Sequence, residues 1–149
     1  MTEIETLQEL ITADDVKRLH DFATAAPEPY NPYSDFGVLA VVETIDDRLY
    51  AGVNVENANY TLTKHAEEVA ILLAIMDGAI QRNGRGFIKN IFVAGYGTMA
   101  PCGGCRQFIS EFAFSGTVWI GLNRHDKSVL IDYFKTLLPL AFGPGDLGL

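Results

Sequence analysis

The stretch Ile88–Leu122, IKNIFVAGYGTMAPCGGCRQFISEFAFSGTVWIGL, decides the fold. Ile88 to Gly95 is a short, mostly apolar segment with β-branched residues that stops at glycine, the composition of a strand. Gly103 to Phe114 reads as a helix ended by Gly116, and Thr117 to Leu122 is again a strand. Upstream, Thr63 to Asp77 has the pattern of a helix, with Thr63 as N-cap and Gly78 as its stop. Val69, Ile71, Leu72, Leu73, Ile75 and Met76 make that helix apolar nearly all round, which predicts burial. Further out, Phe36 to Thr44 and Leu49 to Asn54 flank the turn Asp46-Asp47 and predict a hairpin. Thr12 with Asp15 forms a capping-box pattern that opens a helix to about Ala25, with Val16, Leu19 and Phe22 at helical spacing before Pro27 and Pro29. Ser128 to Leu138 is expected to be a last helix stopped at Pro139, and Gln81 to Gly86 a flexible surface loop. Such alternation implies a three-layer α/β/α domain with its sheet covered on both faces, and the opening hairpin makes that sheet mixed. With no repeat or low-complexity block to divide it, residues 1–149 are expected to form one domain.

A chain of 149 residues can bury roughly 68–70% of its unfolded surface, so neither disulfides nor a metal are needed merely to build the core. The 11 Lys plus Arg against 19 Asp plus Glu give a net charge of −8, which argues against a partner gripped through phosphates. The longest apolar run, Val69 to Met76, is far shorter than the roughly 18 residues a spanning helix needs. The acidic start Met1-Thr2-Glu3-Ile4-Glu5 lacks the basic and apolar stretches of a signal peptide, so the cytoplasm is the expected location. In that reducing compartment a close cysteine pair more often binds metal or does redox chemistry than forms a bridge.

Two clusters carry chemistry: His65-Ala66-Glu67 at the start of one predicted helix, and Pro101-Cys102-Gly103-Gly104-Cys105 at the start of another. One imidazole and two thiolates suit zinc, and three protein ligands leave its fourth position open, as in catalytic sites. Helix N-termini favour thiolate over thiol through free N–H groups and the helix dipole. Glu67, two residues after His65, can stand beside the open position and move a proton. The order H-x-E then P-C-x-x-C is the signature of zinc-dependent nucleobase deaminases, whose glutamate is a general acid/base and not a ligand. Alternative readings are a redox C-x-x-C pair, or a closed structural zinc site completed by His20 or His125. Both histidines lie among polar and charged neighbours and are expected to be solvated.

With these residues in view, the chain resembles the cytidine deaminase family from about Tyr30 to Leu147. The resemblance is carried by Pro32-Tyr33-Ser34-Asp35-Phe36-Gly37-Val38, Asn54-Val55-Glu56-Asn57-Ala58, His65-Ala66-Glu67, Pro101 to Gln107, and the tail Leu137 to Leu147. It implies a three-layer sandwich around a mixed, mostly five-stranded sheet, one Zn²⁺ per subunit on His65, Cys102 and Cys105, and Glu67 as the catalytic acid/base. Similarity to the family also implies that Asn54 and Glu56 meet the sugar hydroxyls, that Ala66 touches the pyrimidine through its backbone, that Phe36 packs near the nucleoside, and that Phe142 reaches a neighbouring subunit's site. From pattern alone Phe36 and Phe142 read as core residues. The implied activity is hydrolytic deamination of cytidine and deoxycytidine in pyrimidine salvage, in a homotetramer or, alternatively, a dimer. Many short members carry a third cysteine in place of His65 and an arginine in place of Glu68. Because two thiolates and an imidazole leave Zn²⁺ formally neutral while three thiolates do not, the two departures compensate. Rival expectations are a deaminase of a modified nucleoside such as blasticidin S, a polynucleotide-editing deaminase, which the −8 charge disfavours, and an inactive nucleoside-binding module.

Overall fold

The computed structural model describes residues 7 and 9–149. Helix α1 (Ala13–Thr24) starts where the capping box foretells: Asp15 N–H donates to the Thr12 hydroxyl at 3.2 Å and Thr12 N–H to the Asp15 carboxylate at 2.9 Å. Its buried stripe is Leu19 and Ala23, flanked by Val16, whereas Phe22 is exposed. His20, expected to be solvated, is half-buried beside Phe92, and burial together with Arg124 lowers its pKa.

Strands β1 (Leu39–Thr44) and β2 (Leu49–Val53) form the expected hairpin, with Leu39 opposite Val53. The ladder begins three residues later than Phe36. There the Asn54 side chain replaces it, accepting from Val38 N–H and donating to the Phe36 carbonyl, both at 2.8 Å. Strand β3 (Ile88–Gly95) has its predicted bounds and pairs antiparallel with β1 and parallel with β4 (Ala113–Asn123). With β5 (Val129–Tyr133) on the far edge, the order β2-β1-β3-β4-β5 makes a five-stranded mixed sheet in which β3–β4 is the parallel pair.

Five expectations about these elements are corrected. Helix α2 (Ala66–Met76) starts after His65 and not after Thr63, because Lys64 and Val55 exchange backbone hydrogen bonds and keep the chain extended up to the helix. Its buried residues are mainly the small ones facing the sheet, Ala66, Ala70 and Ala74, while Leu72, Leu73 and Met76 are exposed. The segment read as a flexible loop contains helix α3 (Ala79–Asn83), entered through left-handed Gly78, with Arg82 and Asn83 both bonded to Asp46 across the hairpin. Helix α4 (Gly103–Phe112) ends early and passes directly into β4, so Gly116 lies inside a strand. The last predicted helix is instead strand β5 (Val129–Tyr133), followed by one 3-10 turn, Phe134–Leu137. A tight turn with Lys127 in the left-handed region returns the chain antiparallel to β4, where pairing and the partial burial of Ile131 and Tyr133 override helical spacing.

Helix α1 covers one face of the sheet and α2, α3 and α4 cover the other, giving the three expected layers. Arg18 of α1 is tied to the buried Glu43 of β1 at 3.0 Å, and Asn90 of β3 donates to the same carboxylate at 2.8 Å. Among the described residues no helix is long and apolar enough to cross a membrane.

Candidate active site

The starts of α2 and α4 meet on the same face of the sheet. His65 is the N-cap of α2 and Cys102 that of α4, with the Cys102 sulfur accepting from Cys105 N–H at 3.5 Å. The sulfur of Cys105 lies 3.0 Å from His65 Nδ1 and that of Cys102 3.4 Å from the same nitrogen. All three ligand atoms fall within 4.8 Å of one another. Tetrahedral zinc with bonds of about 2.0–2.3 Å places its donors roughly 3.5 Å apart, so this spacing suits the ion. Charge supports the fit. Burial and the neighbouring Glu67 carboxylate push the Cys105 thiol well up, so helix dipoles alone do not ionise it; a divalent cation reverses that balance. His65, Cys102 and Cys105 are thus positioned to bind a metal ion.

Glu67 stands on the first turn of α2, only 5% exposed, and burial holds its carboxyl above the usual carboxylate range. Glu68 has a local role that accounts for a carboxylate at that position: it accepts from His65 N–H at 2.9 Å and so closes the start of the helix that presents the imidazole. Arg106 does not turn toward the sulfurs. Its guanidinium donates to the carbonyls of Pro101 at 2.7 Å and Leu137 at 2.8 Å, tying the C-terminal segment to the cysteine loop.

These groups open into one pocket of about 330 Å³, a size suited to a small organic ligand. Of the residues singled out in the sequence, Phe36, Asn54, Glu56, His65, Ala66, Glu67 and Cys102 line it, and Cys105 is buried beside His65. Phe142 is not brought there; it is 60% exposed, with its carbonyl accepting from Gln107 at 2.9 Å. His20 and His125 do not join the metal cluster, which removes the closed four-ligand alternative. Among the wall residues that sequence reasoning missed are Ser34, Thr63 and Met99. Met99 lies in the left-handed region and its side chain fills the space over Gly95, an arrangement with no local sequence signal. An adjoining hollow of about 350 Å³ is faced by Tyr33 and Tyr60, whose rings stand 5.9 Å apart.

Helix α2 is held unusually close to the sheet. A Cβ on Gly52 would lie 2.2 Å from the Ala66 carbonyl oxygen and 2.5 Å from Ala70 N, both backbone atoms. Gly52→Ala is therefore expected to lift the helix that carries Glu67, costing about 1–3 kcal/mol in urea unfolding. A displacement approaching 1 Å is expected to reduce turnover by roughly 100-fold. Unchanged stability and turnover would show that the close approach does not position the site.

Residues 13–121 match the family model of the cytidine and deoxycytidylate deaminase zinc-binding region. A cytidine deaminase of Vibrio atlanticus is 38% identical over 138 residues, covering 91% of this chain and 42% of that protein. A cytidine deaminase of Sporosarcina psychrophila is 35% identical over 132 residues, covering 88% of this chain and 93% of the relative. The chain thus spans less than half the length of the Vibrio relative and nearly all of the Sporosarcina one. The crystal structure of cytidine deaminase from Burkholderia pseudomallei superposes with a TM-score of 0.75 at 33% identity, over 89% of this chain and 100% of the other.

Proposed function

We propose, since this chain belongs to the cytidine deaminase family, that it hydrolyses cytidine and 2′-deoxycytidine to uridine and 2′-deoxyuridine with release of ammonia. The observation that carries this reading is the convergence, at one pocket, of a three-donor metal cluster, a buried carboxyl group, and an amide and carboxylate able to meet sugar hydroxyls. Zinc, when held by His65, Cys102 and Cys105, supplies Lewis-acid activation of the hydrolytic water.

In this reading Glu67 takes one proton from the attacking water and delivers it to ring N3. It then carries the second proton to the departing amino group, so that the C4–N bond breaks, C4 keeps the oxygen and ammonia leaves. A carboxyl raised by burial suits that task, since it must both hold and release a proton near neutral pH. Ala66, small and fully buried, lets a pyrimidine approach the backbone at the start of α2, and Phe36 offers an exposed ring beside it. Asn54 has one donor and one acceptor site left after bracing Phe36 and Val38. Glu56 can accept from a sugar hydroxyl, and its negative charge disfavours a phosphorylated sugar.

We place Phe142 in a neighbouring subunit's pocket within a homotetramer. Its exposure, the nearby exposed Leu140, and the uncovered Leu72, Leu73 and Met76 on α2 support such assembly. Deamination of free nucleosides in the cytoplasm would serve pyrimidine salvage.

The test is ammonia release and the ultraviolet change of cytidine, 2′-deoxycytidine and 2′-deoxycytidine 5′-phosphate with the metal-loaded protein. Both nucleosides are expected to turn over, with kcat/KM on the nucleotide lower by at least roughly tenfold. Nucleoside binding without ammonia release would replace this reading with that of a binding module.

A further inference from the structure

We infer that Ser34 is a positioning residue, which sets the affinity for the sugar by holding the Glu56 carboxylate in one orientation. The inference rests on the reading that Glu56 meets a sugar hydroxyl. A half-buried glutamate outside regular structure would ordinarily sample several rotamers and lose that freedom on binding. Here one segment removes the freedom beforehand. Tyr33 N–H donates to Glu56 Oε2 at 2.8 Å and Ser34 N–H to the same oxygen at 3.2 Å, while the Ser34 hydroxyl donates to Oε1. Both carboxylate oxygens are thereby fixed from one side, and each keeps acceptor capacity for a ligand donor.

Ser34 also reaches the other wall residue of this loop. Its hydroxyl oxygen accepts from Phe36 N–H at 3.0 Å, across Asp35, which sits in the left-handed region at φ 54°. An L residue adopts that conformation only where its surroundings hold it there, and aspartate is among those that tolerate it best. A single hydroxyl thus links the orientation of Glu56 to the backbone that presents Phe36, and all three residues line the pocket. The same hydrogen bonds, that of the Ser34 hydroxyl foremost, hold the Glu56 carboxyl below its usual range and keep it anionic. A carboxylate prepared in this way binds with less ordering cost than a free one.

The experiment compares steady-state cytidine deamination in wild type, Ser34→Ala, Ser34→Cys, Ser34→Thr, Glu56→Gln and the Ser34→Ala/Glu56→Gln double variant, with fold checked by circular dichroism. Losing the hydroxyl is expected to raise KM by roughly tenfold with kcat within about twofold, in both Ser34→Ala and Ser34→Cys. Ser34→Thr, which keeps the hydroxyl, is expected to restore KM to within about threefold of wild type. In the Glu56→Gln background, Ser34→Ala is expected to change KM by less than about twofold, because the two act as one unit. A KM increase that persists undiminished in that background overturns the inference, as does a fall in kcat at constant KM. A raised KM in Glu56→Gln with unchanged KM in Ser34→Ala removes only the role of Ser34. An unchanged KM in Glu56→Gln removes the sugar-binding reading itself.

Discussion

Replacing Glu67 by glutamine is expected to leave a folded, metal-loaded protein whose turnover of cytidine falls by at least roughly 10²–10⁴-fold, the contribution of a positioned general acid/base. The amide has nearly the shape of the carboxylic acid, so packing at a side chain only 5% exposed is preserved. What is lost is the proton site. The metal donors come from other residues, His65, Cys102 and Cys105, so metal content measured by atomic emission should match wild type. KM should change little, since no binding contact is deleted from the sugar end of the pocket. Near-normal kcat in a metal-loaded Glu67→Gln protein would exclude this carboxyl as the proton carrier.

The second large effect concerns Cys105. Cys105→Ala removes the most buried of the three donors, at 2% exposure, and leaves His65 and Cys102 too few to form the site. Metal affinity is expected to fall by well over the roughly 10–100-fold seen when only a supporting hydrogen bond to a ligand is lost, and turnover to fall with it. Stability should follow. A metal present at about 1,000 times its Kd stabilises the folded state by roughly 4 kcal/mol, or on the order of 10 °C in Tm for a domain of this size. Wild type stripped by chelator should therefore melt near the variant, and re-addition of zinc should restore wild type but not Cys105→Ala. A variant that keeps stoichiometric metal would show that the cluster is not the binding site.

Particular residues show where local pattern was sufficient. The bounds of β3 were legible because a mostly apolar segment with β-branched residues ends at a glycine, and the start of α1 because Thr12 and Asp15 satisfy each other's backbone groups within four residues. The metal cluster was legible because two cysteines three apart at a helix start must lie close together whatever the rest of the fold does. Where contacts from distant segments decide the outcome, the same reasoning failed. Residues 129–133 read as helix and became a strand because an open edge of β4 was available to pair with them. Arg82 and Asn83 read as loop and became helix, anchored by Asp46 from a hairpin far upstream.

What the order of residues established, then, was the set of elements near the site and the donor chemistry: imidazole, two thiols and a carboxyl, each tied to a helix start by interactions spanning a few residues. The folded chain supplied everything that depends on separation in space. It brought His65 within 3.0 Å of a sulfur forty positions away, drew α2 down onto Gly52, and closed the pocket with Met99. It also enlisted Ser34 to hold Glu56, twenty-two positions further along. The physical reason is that capping and periodicity are local energies summed along the chain. Burial, strand pairing and pocket shape arise between segments that meet only after the sheet has formed.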